Sequence, residues 1–160
     1  MSPECRCFTI KVTSRVTTKF KRDNLMIRIL IADDSPAIRD GMCSLLDSTG
    51  DFQVVGMAKD GLEALEKARE LRPDLVIMDS QMPNMDGVEA TRHIKQTLPG
   101  IGILFFSVFA DCLEAGITAG ADGYLMKDCE SEELYSELRR IAAITPDGRL
   151  RATSTQRLAA

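Results

Sequence analysis

From Met26 onward, short apolar runs alternate with segments whose apolar residues recur at helical spacing. The runs are rich in β-branched residues and typical of buried strands; they occupy 27–32, 52–58, 74–79, 101–108 and 122–127. Four of the other segments carry an apolar stripe that predicts a helix: Ile38, Met42, Leu45 and Leu46; Leu62, Leu65 and Leu71; Val88, Thr91 and Ile94; and Leu134, Leu138 and Ile141. Residues 111–119 predict a weaker helix.

Capping and helix-breaking residues mark the ends of these helices. Hydroxyl or carboxylate side chains suit the position before a helix, proline suits its first turn, and glycine or proline suits the stop. The expected N-caps are Ser35 (before Pro36), Asp86 (before Gly87) and Ser131, and the expected stops are Gly50, Pro73 and Pro99-Gly100.

The alternation of strands and helices predicts the fold class. Five strands joined through helices by short loops require a parallel sheet covered on both faces, which is a doubly wound α/β fold. The near-continuous apolar strands agree with burial on both sides. In such sheets the functional crevice lies at the carboxyl ends of the strands.

Composition is ordinary for a globular chain of 160 residues, with 44% hydrophobic and 28% charged residues. No apolar run approaches the roughly 20 residues that span a bilayer, so no membrane association is expected. The N-terminus lacks the apolar core of a secretory signal. These features together favour a cytoplasmic protein.

Charge divides the chain into an expected N-terminal extension, a domain and a tail. Residues 1–25 contain six basic and two acidic residues, so their net charge is +4. The net charge of the whole chain is −4, and residues 26–160 therefore carry −8. We expect 1–25 to be a poorly ordered basic extension, 26–145 to be the domain, and 146–160 to be a tail or linker remnant. Met26 directly precedes the first strand and is a candidate start site. The acidic body does not favour direct DNA binding and suits a cation site.

Polar side chains of possible chemical importance stand at the predicted strand ends. Asp33 and Asp34 follow the first strand, Asp79 ends the third, Ser107 lies near the end of the fourth, and Lys127 ends the fifth. Taken singly, each has an ordinary explanation, such as Asp33 or Asp34 capping the first helix. Together at one edge of the sheet, the crowded carboxylates either raise each other's pKa or require a cation, and a hard divalent ion such as Mg²⁺ is the simplest compensation.

This set of residues resembles the receiver domain of two-component response regulators. The resemblance rests on Asp33-Asp34, on Asp79 within DSQMPNMDG (79–87), and on Ser107 and Lys127. The segment GADGYLMKD (120–128) is most similar to the branch of response regulators whose output domain is a DNA-binding helix-turn-helix. The match covers about residues 26–144 and implies a flavodoxin-like strand order, 2-1-3-4-5.

The resemblance implies an acceptor and a metal site. Asp79 would be the phosphoacceptor and would take a phosphoryl group from a sensor histidine kinase. Asp34 and Asp79 would ligate Mg²⁺ directly, the backbone carbonyl of Gln81 would be a third protein ligand, and Asp33 would act through a water. Such a domain is not a turnover enzyme: with Mg²⁺ it phosphorylates itself from small donors and slowly dephosphorylates itself.

The resemblance also implies a switch. Lys127 would pair with the phosphoryl oxygens, Ser107 would hydrogen-bond to them, and Tyr124 would turn inward into the space that Ser107 leaves. The added charge of about −1.5 to −2 drives such a change. The switch would control an output or a partner, with homodimerisation on phosphorylation as one form of that control.

Two features depart from the pattern. The stretch from Ser107 to Lys127 covers 20 steps, fewer than this branch usually has, and the shortage falls at the fourth helix, which Gly116 already weakens. The sequence after the last helix, TPDGRLRATSTQRLAA (145–160), is too short for a helix-turn-helix domain. A stand-alone receiver, a truncated transcriptional regulator and a fragment whose effector lies elsewhere all stay open, as do the kinase, signal and output.

Three rival interpretations differ in the residues they need. A phosphatase or phosphotransferase of similar fold usually has a second acid two residues after its nucleophile, where this chain has Gln81. A flavodoxin-like cofactor carrier would need a hydroxyl- or glycine-rich loop after the first strand, where this chain has DDSPA (33–37). The intact acidic set argues against a degenerate receiver that only binds partners.

Overall fold

Five parallel strands form one sheet in the part of the chain that the structure, a computed structural model, describes, residues 26–144. The strands are β1 (Ile27–Ala32), β2 (Phe52–Ala58), β3 (Leu75–Met78), β4 (Gly102–Ser107) and β5 (Gly123–Met126). Their order is β2-β1-β3-β4-β5, and every neighbouring pair is parallel. The predicted doubly wound sheet with order 2-1-3-4-5 is therefore confirmed.

Helices cover both faces of this sheet. They are α1 (Pro36–Asp47), α2 (Gly61–Leu71), α3 (Gly87–Thr97), α4 (Leu113–Ala119) and α5 (Ser131–Ile144), and a 3₁₀ turn at Ala110–Cys112 precedes α4. Within residues 26–144, no helix combines the length and the apolar character needed to cross a bilayer.

Two apolar layers hold the helices against the sheet. Because side chains alternate along a strand, each central strand contributes to both layers. One layer joins the sheet to α1 and α5 and includes Ile29, Ile31, Ile77, Leu104, Met42, Leu46 and Leu138. The other joins it to α2 and α3 and includes Leu30, Val76, Met78, Phe105, Ala64, Leu65, Ala68, Ala90 and Ile94.

The second helix corrects one prediction. Leu62, expected on the buried stripe, is 48% exposed. The buried side of α2 is made by Gly61, Ala64, Leu65 and Ala68. Gly61 belongs there because a Cβ at this position would lie 2.4 Å from the Met85 carbonyl oxygen. Small residues therefore let α2 approach its neighbours, and Leu62 falls outside the stripe.

The helix starts also differ in detail from the expected caps. Ser35 occupies the N-cap of α1, but its side chain makes no capping hydrogen bond. Its backbone N–H instead donates to Asp33 Oδ1 at 2.8 Å. Ser131 is the first residue of α5 and not the residue before it. The proposed extension 1–25 and tail 146–160 lie outside the described residues.

Candidate functional site

Two aspartates are fixed at the carboxyl edge of the sheet by backbone hydrogen bonds that continue past the strands. The N–H of Asp79 donates to the Ala32 carbonyl at 2.8 Å, and the N–H of Asp33 donates to the Ala58 carbonyl at 3.1 Å. Each bond extends a parallel ladder by one residue. Ending an apolar strand on an aspartate therefore delivers a carboxylate to a rigid position at this edge.

Three carboxylates and one ammonium group meet there, as the sequence predicted. Asp33, Asp34 and Asp79 each offer an oxygen atom within 4.8 Å of the others. Asp33 and Asp79 are only 3% and 6% exposed, whereas Asp34 faces solvent. Lys127 Nζ lies 2.6 Å from Asp33 Oδ2 and 3.3 Å from Asp79 Oδ1. We refer to these three aspartates as the acidic cluster.

The charges of the acidic cluster are incompletely compensated. Three carboxylates face one ammonium, which leaves two negative charges. Arg39 is close by, but its Nη1 donates to the backbone carbonyl of Asp33 at 2.6 Å and not to a carboxylate. Hard oxygen donors with an excess of two negative charges suit a divalent ion such as Mg²⁺. The donor set therefore fits the metal that the sequence suggested.

Burial and neighbouring charges shift the pKa values of Asp79 and Lys127. Burial raises the pKa of Asp79, the charge of Lys127 opposes that rise, and the charge of Asp33 adds to it. Burial alone would lower the pKa of Lys127, but the hydrogen bond to Asp33 and the charge of Asp79 more than offset this, so its pKa is raised. Lys127 therefore stays an ammonium in the ordinary pH range.

A pair of buried serine hydroxyls lies next to the acidic cluster. Ser107 Oγ is 2.6 Å from Ser80 Oγ, and the two residues are 0% and 3% exposed. Ser107 Oγ also accepts the N–H of Phe109 at 3.1 Å. Sequence reasoning gave Ser80 no role. Strand register could have found it, because Met78 pairs with Phe105 and two further steps place Ser80 opposite Ser107.

Tyr124 contacts the same loop as Ser107. Its hydroxyl donates to the backbone carbonyl of Phe109 at 2.5 Å and lies 3.3 Å from Met126 Sδ. The ring is half-buried. Burial is the main reason that the pKa of the Tyr124 hydroxyl is raised. The backbone of Phe109 thus links two predicted site residues: its N–H bonds to Ser107 and its carbonyl bonds to Tyr124.

The loop after Asp79 is closely packed on the strand end. A Cβ at Gly87 would lie 2.0 Å from the Asp79 carbonyl oxygen, so only glycine fits there. Asp86 Oδ1 accepts the N–H of Glu89 at 2.8 Å, which confirms Asp86 as the cap of α3. Gln81 lies at the start of this loop and is exposed.

A second anchor of this loop was not anticipated from the sequence. Asn84 has a left-handed backbone with φ of 65°, and its Nδ2 donates to Asp60 Oδ2 at 2.9 Å. Asp60 is the N-cap of α2 and accepts the N–H of Glu63 at 2.8 Å. This bond and the Asn84 amide lower the pKa of Asp60. The loop is therefore tied to α2 as well as to α3.

Comparison with known proteins places this chain in a family. The family described as the response regulator receiver domain matches residues 29–139. The transcriptional regulatory protein LnrK of Bacillus subtilis (strain 168) is 40% identical over 118 residues, which are 72% of this chain and 54% of LnrK. The chain spans about half the length of the curated relatives it matches.

Solved structures agree with this assignment. The response regulator domain of Thermotoga maritima CheB is 36% identical with a TM-score of 0.69, covering 76% of this chain and 99% of that one. A LuxR-family two-component response regulator from Aurantimonas sp. SI85-9A1 is 34% identical with a TM-score of 0.70, covering 78% and 94%. Fold, site geometry and sequence similarity thus agree, and the chain belongs to the family of response regulator receiver domains.

Proposed function

We propose that Asp79 is the phosphoacceptor of this receiver domain and takes its phosphoryl group from a sensor histidine kinase. Receiver domains of response regulators are signalling phosphoacceptors that take phosphoryl groups from histidine kinases. The observation that carries the assignment is the position of Asp79: a buried carboxylate at a strand end, 3.3 Å from Lys127 and within 4.8 Å of two other carboxylates.

The transfer needs little from the protein besides placement and charge. A carboxylate oxygen of Asp79 forms a bond to phosphorus as the P–N bond of the phosphohistidine breaks, and the imidazole leaves with the electron pair. Lys127 neutralises charge on the phosphoryl oxygens, and Ser107 donates a hydrogen bond to one of them. The backbones of both residues are held by the sheet: the Lys127 N–H donates to the Ser107 carbonyl at 2.9 Å.

Receiver domains bind Mg²⁺ through an acidic pocket, and we assign that role here to the acidic cluster. Asp34 and Asp79 would be direct ligands, with the backbone carbonyl of Gln81 as a third and Asp33 acting through a water. When bound, the ion would supply positive charge beside the phosphoryl oxygens. The uncompensated charge of the cluster supports this assignment.

The switch runs from Ser107 through Phe109 to Tyr124. When Ser107 turns to the phosphoryl group, it gives up its bond to the Phe109 N–H, and the Phe109 carbonyl that holds the Tyr124 hydroxyl shifts with it. Tyr124 then moves inward. The output that this change controls would be transcription, with homodimerisation on phosphorylation as one route, because LnrK is a transcriptional regulatory protein.

Phosphorylation by acetyl phosphate tests the assignment of Asp79. Intact mass should show one added phosphoryl group in the presence of Mg²⁺ and none in EDTA. Asp79→Asn should fold normally and remain unlabelled. Asp86→Asn is the matched control, because it removes a carboxylate from the same loop and asparagine still caps α3; it should label like the wild type.

Two further variants separate the assigned roles. Asp34→Asn should weaken Mg²⁺ binding, because it removes a charged ligand. Lys127→Ala should slow labelling and leave Mg²⁺ binding largely intact. Size-exclusion chromatography of the labelled protein reports whether a dimer forms. Labelling of Asp79→Asn at the wild-type rate would show that the acceptor lies elsewhere, and continuous phosphate release from a phosphomonoester would favour a turnover enzyme.

A further inference from the structure

The hydroxyl of Ser80 is buried beside the acceptor and has no part in the function proposed above. Ser80 directly follows Asp79, is 3% exposed, and shares a 2.6 Å hydrogen bond with Ser107. We propose that Ser80 is a positioning residue whose hydroxyl is the resting partner of Ser107 and competes with the phosphoryl group for it. This inference rests on the proposed function of Asp79 and Ser107.

The hydrogen-bonding capacity of a hydroxyl makes the two partners of Ser107 exclusive. A serine hydroxyl has one proton and two lone pairs, and the Phe109 N–H already uses one lone pair of Ser107. Phosphoryl oxygens only accept, so Ser107 must offer them its proton. If Ser107 donates its proton to Ser80, it has no proton left for a phosphoryl oxygen until that bond breaks.

The opposite proton arrangement has the same consequence. If Ser80 donates to Ser107, then Ser80 and the Phe109 N–H fill both lone pairs of Ser107 and fix its side chain. Turning Ser107 Oγ to a new position then breaks the 2.6 Å contact. In either arrangement, the bond to Ser80 stabilises the resting position of Ser107 and has to be given up on activation.

Hydrogen-bond strengths favour exchange of Ser80 for the phosphoryl group as the partner of Ser107, but the lost bond to Ser80 lowers the affinity for that group. A hydrogen bond to a charged phosphoryl oxygen is roughly twice as strong as one between neutral groups, so the phosphoryl group wins the competition. Within residues 26–144, Ser107 is the only hydrogen-bond partner of the Ser80 hydroxyl. Activation therefore leaves this hydroxyl buried and without its bond, which weakens binding of a phosphoryl group by about two- to tenfold, the equivalent of one ordinary hydrogen bond.

A double-mutant cycle with beryllofluoride tests this competition. The fluoride atoms stand in for phosphoryl oxygens and beryllium for phosphorus. Beryllofluoride is titrated with Mg²⁺ into the wild type, Ser80→Ala, Ser107→Ala and the double variant, and the backbone NMR signals of Phe109 and Tyr124 report binding. Ser80→Ala should tighten binding about two- to tenfold. In the Ser107→Ala background the same change should have no effect, because the competition has been removed.

A size-matched variant separates hydrogen bonding from packing. Ser80→Cys fills nearly the same volume but replaces the hydroxyl by a thiol, which is a weak donor and acceptor. It should tighten beryllofluoride binding in the same direction as Ser80→Ala. Tightening in Ser80→Ala alone would mean that a cavity, and not the lost bond, changes the affinity. Far-UV circular dichroism confirms that each variant is folded, and Ser80→Cys provides the test if Ser80→Ala is not.

The remaining outcomes overturn either this inference or the function beneath it. Unchanged or weaker binding in Ser80→Ala, or equal tightening with and without Ser107, overturns the competition while the acceptor assignment stands. Absence of beryllofluoride binding by the wild type, or equal binding by Asp79→Asn, overturns the proposed function and this inference with it.

Discussion

The acidic cluster should make the metal-free protein less stable than a variant without the Asp79 charge. At an effective dielectric constant of about 20, repulsion between Asp33 and Asp79 oxygens within 4.8 Å is about 3.5 kcal/mol or more, and attraction between Asp79 and Lys127 at 3.3 Å is about 5 kcal/mol. Exposed Asp34 adds roughly 1 kcal/mol of repulsion. The charge interactions nearly cancel, so the sign is decided by burial, which is the main reason that the Asp79 pKa is raised.

Asp79→Asn should therefore increase the free energy of unfolding at pH 7 in EDTA by about 1–3 kcal/mol, the usual cost of an incompletely satisfied buried polar group. Asparagine has almost the same shape and removes only the charge. Because the raised pKa belongs to an acid, the ionised form is disfavoured by folding, so the destabilisation is present above that pKa and disappears as the pH falls below the ordinary value of 3.8.

Urea unfolding followed by far-UV circular dichroism is a suitable assay, because the chain contains no tryptophan. Asp40→Asn, on the exposed side of α1, removes the same charge away from the cluster and is the control. When Mg²⁺ is present at ten times its dissociation constant, the free energy of unfolding of the wild type should increase by about 1.4 kcal/mol. The difference in stability between the wild type and Asp79→Asn should therefore become smaller. A loss of stability in Asp79→Asn without metal would refute the reasoning, because Asp79 and Lys127 would then be a net stabilising ion pair.

Three other predictions concern the scaffold. Thr91 is fully buried in α3, and within residues 26–144 its hydroxyl is a buried polar group that makes no hydrogen bond. Thr91→Val should therefore stabilise the fold by about 1 kcal/mol, measured by thermal unfolding. A comparable loss of stability would show that the hydroxyl does have a hydrogen-bond partner. The lowered pKa of Asp60 contributes stability above the ordinary value of 3.8 that is lost as the pH falls through the folded-state pKa; Asp60→Asn should flatten this acid-side dependence, and an unchanged slope would contradict it. Residues 109–119 should exchange amide hydrogens faster than 61–71, since α4 has seven residues and exposes Leu113 and Ile117; equal protection would count against this.

The fold was largely readable from the sequence because strand and helix periods are local properties. The apolar runs placed β1 and β2 at their observed limits, and β3, β4 and β5 within one residue at each end. Alternation of strand and helix then required a parallel sheet. Proline and carboxylate signals located the helix ends for the same local reason, as at Pro36 and Asp86.

The acidic cluster was also predictable, because carboxyl ends of parallel strands share one edge of the sheet. Residues at those ends, Asp33, Asp79 and Lys127, had to come together once the strands were known. Leu62 shows the limit of this reasoning: helical spacing alone did not say which side of α2 faces the sheet. The close approach at Gly61 and the small residues Ala64 and Ala68 decided that.

Only the tertiary structure revealed the contacts that join separate strands and loops. The Ser80–Ser107 pair depends on the register between β3 and β4, and a shift of one residue would separate the two hydroxyls. The bond between Asn84 and Asp60 joins residues 24 positions apart and holds the loop after Asp79 against α2. Sequence determined which groups stand at the functional edge because strand ends are set locally. Packing and register decided which of those groups touch, because each contact depends on the relative placement of two elements that neither element encodes alone.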